Sequence, residues 1–583
     1  MLKGETPLEI VMHERYPQLN FLLGMQGAVE TLLEQGSKED ICLFIHQVHQ
    51  KKPSLIFLIG IELWKHALAL EPWLQEHPQT DILLFEKDLG RIKAFLQEED
   101  AFSVVSHLQV HVHYVLENAE MEQAFKEALQ AYPSAHIFTK VHPYYQEEYP
   151  EAKIDLMLLR KATRASSLLK EDQYYHVLSR NLLSNFAFLP SCFYADALKG
   201  KFKGIPAIIC GAGPSLTEQI PFLKQVENKA LILAGGSTIA ALTTQDIYPH
   251  LGFVFDPNPD EYDRLKANVY PEVPLLFGAR VLPSVFYTNN GMTGYMKTSS
   301  GGQVEQALER ELGLQLESLH EGLSEEGMSA TVMCVAAAVH FGCSPILLCG
   351  IDLAYIEGKR YAEGVVHDPS ILLEELLKET EASDIVFKKC NREGIEVYTC
   401  TKWLMEAHTI EDFAKKHPES RFIDCVTKGL GFSSLPKKSL EDVLEQDLIQ
   451  EYDLKNYVYI CLTNCPHLSV YKESIKKFME ELKISFEKSL DFVKDFLEVL
   501  SKQKQGKEDP LMIVYQMDLE DEKAFQYFLE PLEAKMPYIW QQSLRNSLDQ
   551  KIRDRLFMEK KWHTFQKLIE YYLELFKDLD SKN

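Results

Sequence analysis

The chain has no excess of basic residues: of its 583 residues, 61 are Lys or Arg against 86 Asp or Glu, a formal charge of -25. So acidic a composition argues against a general nucleic-acid or anionic-membrane surface, both of which need a cationic face. Nowhere does an uninterrupted apolar run reach the length that crosses a bilayer, and Met1 to Pro7 opens without the apolar core of a signal peptide. The 11 cysteines are scattered and form no dense framework, which fits a reducing compartment, so a cytoplasmic location is expected. Cys461 and Cys465 make a CxxxC pair, but no second pair or nearby histidine cluster completes a metal site, and none is expected.

What is present is enough chain for several cores. We expect three domains: an N-terminal α/β unit over residues 1–150, a central domain over 151–435 and a helical domain over 436–583. In the first, Pro53 to Gly60 reads as a strand ending in glycine, a helical run passes Trp64 and Leu68, and Asp81 to Glu86 reads as a second strand. An acidic residue closing the second strand of such a unit often holds a ribose hydroxyl, which makes Glu86 a candidate nucleotide contact. Against this, the first turn has a single glycine and Glu62 would set a negative charge beside any phosphate. A purely structural role is the stronger expectation.

The centre of the chain is Ile205 to Leu216, an apolar run that ends in Gly211-Ala-Gly-Pro-Ser-Leu216. At such strand-to-helix junctions, backbone N–H groups and the positive helix end can hold an anion at the carboxyl edge of a parallel sheet. Gly211 and Gly213 would permit a tight turn, Pro214 would preset the first helical φ, and Ser215 offers a hydroxyl. A turn without ligand is the plain alternative. Strand and helix patterns then alternate: Ala230 to Ala234 meets Gly235-Gly-Ser-Thr238, Gly252 to Asp256 precedes Pro-Asn-Pro, and Val273 to Phe277 follows. Alternation of this kind predicts a parallel, doubly wound sheet, because parallel neighbours need crossover helices. The turns at Gly211, Gly235 and Asp256 would share one edge.

Residues 284–303 are polar and rich in glycine and are expected to form a lid loop. A fifth strand, Pro345 to Gly350, runs into Ile351-Asp-Leu-Ala-Tyr355, where Asp352 is the best candidate for a charged functional group, or else a cap on the next segment. From Ser433 onward glycine is scarce, and Ile475, Phe478, Leu482, Phe486, Leu490, Val493, Leu497 and Leu500 recur at helical spacing, as do Phe565, Ile569, Tyr572 and Phe576. These predict a helical bundle, in which such stripes form core more often than partner grooves.

Taken in order, Gly211 to Leu216, Phe255-Asp256 with its Pro-Asn-Pro, Gly350 to Tyr355 and Tyr361-Ala-Glu-Gly364 resemble the Maf (motility accessory factor) family. These are flagellin glycosyltransferases that share a core with 6-hydroxymethyl-dihydropterin diphosphokinases of the MptE-like type. The stretch Phe422 to Gly431 and the connector Arg180 to Asn185 resemble the segments that close and enter that core, so the likeness spans about residues 155–435. The resemblance implies a Rossmann-like, sialyltransferase-like central domain. It also implies transfer of a nonulosonic acid, such as pseudaminic or legionaminic acid, from a CMP-activated donor to Ser or Thr of a protein such as flagellin.

Carried over by position, Gly211, Ala212, Gly213, Pro214, Ser215 and Leu216 would hold the donor's phosphate and ribose. Gly235, Ser237, Thr238, Gly350, Tyr355 and Thr427 would complete the donor site, with Asp256 and Asp352 at its mouth as catalytic candidates. Where the family often has glutamine and histidine, this chain has Ile351 and Tyr361, so the base would be another group, His367 or Tyr361 itself. Cys425 and Lys428 also depart from the family pattern, which bears on donor or acceptor choice. The implied partners are a nucleotide-sugar donor and a protein acceptor, with homo-oligomerisation open and no cofactor required. Two alternatives stand beside this: a diphosphotransferase using ATP and Mg²⁺ held by Asp256 and Asp352, although the P-loop signature is missing, and a degenerate member that binds a partner without turnover.

Overall fold

The computed structural model describes residues 6–20, 37–115, 120–121, 123–125, 137–150, 154, 157–158, 175–266, 268–298, 301–314, 323, 328–365, 386–502, 509–536 and 550–582. The chain forms two compact units, residues 1–168 with 380–383, and residues 169–379 with 384–583.

The first unit is built on four parallel strands, β1 (Leu55–Ile59), β2 (Asp81–Glu86), β3 (Val110–Tyr114) and β4 (Ile137–Val141), in the order β3-β2-β1-β4. Helices cover the sheet, and β1 is buried along its whole length. That is why Leu55 to Ile59 reads as an unbroken apolar run rather than an alternating one.

The second unit holds an eight-stranded sheet. Its strands are β5 (Phe193–Tyr194), β6 (Ala207–Cys210), β7 (Leu231–Gly235), β8 (Leu251–Val254), β9 (Leu275–Phe277), β10 (Thr293–Tyr295), β11 (Ile346–Cys349) and β14 (Phe422–Asp424). They lie in the order β14-β11-β6-β7-β8-β9-β10-β5, and every pairing is parallel. A separate antiparallel hairpin joins β12 (Val386–Cys390) to β13 (Glu396–Cys400). Between the strands run α1 (Tyr175–Phe188), α2 (Leu216–Leu223), α3 (Gly236–Thr243), α4 (Pro259–Leu265), α5 (Ala330–His340) and α6 (Thr401–Lys416). The chain is thus the α/β, doubly wound protein its alternating pattern predicts.

The lid expected over residues 284–303 is not a loop. Pro283–Thr288 forms a 3₁₀ turn, β10 enters the sheet between β9 and β5, and a helix starts at Gly302. Its anchor is Tyr295, fully buried, whose hydroxyl donates to Glu305 Oε1 at 2.7 Å and Glu309 Oε1 at 3.0 Å. A three-residue strand is too short to show alternation among polar neighbours.

Two long helices, α7 (Lys472–Lys502) and α8 (Gln550–Lys582), dominate the C-terminal part. Their apolar stripes interlock: Phe496 stacks on Trp562 with ring centroids 3.5 Å apart, and Phe486 lies 5.2 Å from Tyr572. Phe478 of α7 also meets Phe186 of α1 at 6.4 Å. One apolar cluster therefore runs from the sheet (Ile208, Ile232) through α1 into α7 and α8, continuous across residue 435. Among the described residues no helix is long and apolar enough to cross a membrane.

Candidate functional site

Strands β6 to β10 run across the sheet in one direction, and β11 then returns to the other side of β6. The strand order therefore reverses between β6 and β11, the place where open α/β sheets form their ligand crevice. The turn after β6 is Gly211 to Ser215 and the turn after β11 begins at Gly350, so the two motifs meet at this reversal. Because all eight strands are parallel, the turns at Gly211, Gly235, Asp256, Gly350 and Asp424 lie along one edge.

The glycines of the β6 turn face protein rather than an open ligand space. Gly211 N donates to Cys349 O at 2.7 Å, Gly213 N to Gly350 O at 2.8 Å, and Leu216 N to Gly213 O at 3.0 Å. A Cβ on Gly211 would come within 2.5 Å of Gly350 O, and one on Gly213 within 2.7 Å of Asp352 Oδ2. Gly350 itself has a φ of 62°, the left-handed region open to glycine. The small residues let the two turns cross at backbone contact.

Asp352 occupies the place expected for a donor phosphate. Ser215 N donates to its Oδ2 at 2.7 Å, and the Ser215 hydroxyl donates to Oδ1. Only 1% of Asp352 and 1% of Ser215 is exposed. Burial pushes the carboxyl up to about 6, opposed by the hydrogen bonds from Ser215. The closing stretch holds it from behind, as Leu430 N donates to Asp352 O at 2.8 Å and Gly429 packs against the same backbone, while from β13 the Thr399 hydroxyl donates to Leu353 O at 2.7 Å. As folded, the amides of Gly211, Gly213, Ser215 and Leu216 all have internal acceptors. In this structure the chain supplies its own anion, Asp352, at the turn the sequence reading gave to the donor phosphate.

Two hollows open beside this junction. One of about 170 Å³ is lined by Pro214, Ser215, Thr217, Glu218, Tyr361 and Lys428, among others. Ala362 N donates to Ala212 O at 2.7 Å and holds the Tyr361 segment against the glycine turn. Tyr361 is half-buried, with the guanidinium of Arg360 5.2 Å and that of Arg264 5.8 Å from its ring centre. The other hollow, about 560 Å³, includes Thr427, Cys425, Lys437, Lys438 and Ser439 in its lining. Pro214, Ser215 and Tyr361 thus come together, while Thr427 lines a different wall. Tyr355 does not reach either hollow: it is buried against Trp403, ring centroids 4.8 Å apart, and its amide donates to Tyr398 O. His367 lies outside the described residues.

At the ends of β7 and β8 the geometry differs. Gly235 leads into α3, and no side chain caps its first turn, although Ser237 and Thr238 belong to it. Asp256 turns back on its own loop, its Oδ1 accepting Asn258 N at 2.9 Å and Asn258 Nδ2 at 2.7 Å. Sequence reasoning missed Glu261 on α4. It is 3% exposed, its Oε1 has no hydrogen-bond partner among the described residues, and a Cβ on Gly236 would meet its two carboxyl oxygens at 2.6 and 2.7 Å. Burial pushes it up to about 8, helped by Asp256 and opposed by Arg264. In the sequence Glu261 sits among Asp260, Tyr262 and Asp263, and nothing there separates a buried acid from solvated ones.

Behind this edge, Asn181 and Asn185 of α1 fix the loops after β8 and β9. Asn181 Nδ2 donates to Pro257 O at 3.0 Å, and Asn185 Nδ2 to Ala279 O at 2.8 Å and Val281 O at 2.7 Å. In the first unit, Glu86 is likewise a structural anion. Its carboxylate accepts Ile61 N at 2.9 Å, Lys87 N and Asp88 N at 2.8 Å, and the Tyr145 hydroxyl, while Glu62 pairs with Arg91.

Residues 180–358 match the protein family described as 6-hydroxymethylpterin diphosphokinase MptE-like. No curated protein matches the chain. Among solved structures, it is similar to a Maf glycosyltransferase from Magnetospirillum magneticum AMB-1, with 12% identity, a TM-score of 0.51, and coverage of 98% of this chain and 96% of that one. The family match over residues 180–358 and the fold likeness over nearly the whole chain thus agree with the Maf and MptE-like resemblance read from the motifs.

Proposed function

We propose that this protein is a glycosyltransferase that takes a nonulosonic acid, of the pseudaminic or legionaminic type, from a CMP-activated donor and passes it to Ser or Thr of a protein acceptor such as flagellin. The observation that carries this reading is the fold likeness to a Maf glycosyltransferase over nearly the whole chain, with hollows opening at its strand-order reversal. Displacing CMP from a tertiary anomeric carbon builds positive charge on the sugar and negative charge on the departing phosphate. The enzyme then needs fixed donors for the phosphate and a base for the acceptor hydroxyl.

Within the described residues, Tyr361 lines the smaller hollow beside the glycine turn, with the guanidinium groups of Arg360 and Arg264 near its ring. We assign it to the acceptor side of the reaction. Asp352 and Ser215 are too buried to meet a protein hydroxyl and act as positioning residues that clamp the two crossing turns.

The MptE-like match favours a second reading, diphosphate transfer from ATP. That chemistry would have Asp256 and Asp352 share a magnesium ion. Their strands, β8 and β11, are separated by β7 and β6, which at ~4.8 Å per strand spaces them roughly 14 Å apart. Asp352 is also committed to Ser215, so this pair does not fit one ion. The test is thermal unfolding with ligand: CMP and a CMP-sugar should raise the melting temperature, and ATP with Mg²⁺ should not. A ligand at 100 times its Kd stabilises by ~2.7 kcal/mol, a readily measured shift. A rise with ATP and Mg²⁺ alone would reject the transferase reading.

A further inference from the structure

Among the described residues, strand-end turns recurrently face an internal carboxyl: Glu86 accepts Ile61 N, Asp352 accepts Ser215 N, and Asp424 accepts Val426 N. The turn after β7 is different. Glu261 lies against Gly236 at the start of α3, yet its Oε1 has no hydrogen-bond partner among the described residues, and no side chain caps the helix. The first amides of a helix have no intrahelical acceptor, and the helix dipole adds positive potential there.

A second feature stands beside it. Arg264, one turn along α4 from Glu261, forms no ion pair with a carboxylate among the described residues and instead lies over the Tyr361 ring. A buried carboxyl oxygen without a hydrogen-bond partner, a guanidinium that forms no ion pair among the described residues, and an uncapped helix start would together be satisfied by one oxyanion. The helix amides and Arg264 would donate to it, and a protonated Glu261 would donate through its hydroxyl.

We propose that the first turn of α3, Glu261 and Arg264 form an oxyanion-binding subsite in which Glu261 is the neutral acid that donates to the bound anion. Its place on the sheet edge suits the phosphate of a nucleotide donor, an assignment that rests on the function proposed above. The subsite itself does not.

The charged groups around Glu261 set its proton affinity. Asp256 from the loop after β8 favours the acid form and Arg264 on its own helix favours the anion. On that helix Asp260 is exposed, and Asp263 pairs with Lys266 at the surface. Helix α3 carries no titratable side chain, and the 3₁₀ turn Pro283–Thr288, which also packs on α4, carries only the exposed Tyr287. Burial dominates and holds the carboxyl near 8. An anion that needs the acid form binds fully below that value and more weakly above it.

Sulfate is the probe, because its charge is constant across the range. Its affinity for the full-length protein, measured calorimetrically from pH 6.5 to 9.5, should be flat at the low end and then fall towards about tenfold per unit above pH 8. Glu261→Gln keeps a neutral donor, so it should bind sulfate at pH 7 within about threefold of wild type and lose the Glu261-dependent fall. Glu261→Leu and Arg264→Gln, checked for native melting behaviour, should each bind at least about tenfold more weakly.

No sulfate binding, a pH-independent wild type, or an undiminished Glu261→Leu protein would overturn the proposal. CMP separates it from the donor reading. Sulfate bound in the expected manner with no CMP bound would leave the subsite and remove the nucleotide. CMP bound equally by wild type and Glu261→Leu, with sulfate also unaffected, would remove the subsite and leave the nucleotide.

Discussion

The carboxylate of Asp352 accepts the backbone N–H of Ser215 at 2.7 Å across the strand-order reversal, so a residue from the turn after β11 caps the helix that follows β6. Residues 137 positions apart thereby form one junction. Everything that opens on this edge is arranged around it.

That junction has a pH signature. Burial raises Asp352 from 3.8 to about 6, so the folded state holds its proton more tightly than the unfolded one. The associated stability is complete below about pH 3.8 and is lost as pH rises through about 6, a change of about 3 kcal/mol. In Asp352→Asn, which stays neutral, this contribution should be absent. Urea unfolding at pH 4 and pH 7 should give a smaller difference for the variant than for wild type.

Gly211→Ala should destabilise the second unit by about 2 kcal/mol, because the added methyl meets a backbone oxygen that cannot rotate away. The midpoint of urea unfolding should fall with the slope unchanged. A variant as stable as wild type would show that the crossing of the two turns is looser than the contact implies.

Asn185→Ala should cost about 2 kcal/mol, since it leaves two buried carbonyls without a donor. Asn185→Asp should cost more, since it sets a carboxylate against those same carbonyls. Denaturation of both variants measures the order, and Asp milder than Ala would contradict the assigned amide orientation.

If Tyr361 handles the acceptor proton, Tyr361→Phe should lower kcat/KM by about 100-fold while CMP affinity is kept. Transfer assays and CMP titration on the same preparation give the two numbers. Equal loss in both would assign the tyrosine to donor binding instead.

Trp562→Ala should cost about 4 kcal/mol by removing a fully buried ring stacked on Phe496. Because one apolar cluster runs from α8 to the sheet, fluorescence and circular dichroism should report a single lowered transition for the second unit. Two separated transitions would mean that the C-terminal helices unfold alone.

Much of this was legible in one dimension. Leu231 to Ala234 and Ile346 to Cys349 read as strands because both faces of a parallel sheet are buried, and α7 because Ile475, Phe478, Leu482 and Phe486 keep helical spacing. The motif turns were located correctly on one edge. Three residues of β10 are too few for any period to register, so the expected lid became a strand.

Local pattern therefore determined the elements, the doubly wound sheet and the segments whose turns meet at its edge, since those follow from side-chain periodicity and chain connectivity. For Asp352 and Glu261, which carboxyl already has a hydrogen-bond donor was decided by the tertiary structure: Asp352 reaches Ser215 from a distant strand, and Glu261 is left facing a bare helix start, whereas Asp256 folds back locally on Asn258. The burial and pairing of the first two depend on neighbours brought in from farther along the chain, and the residue types beside them in sequence carry no record of them.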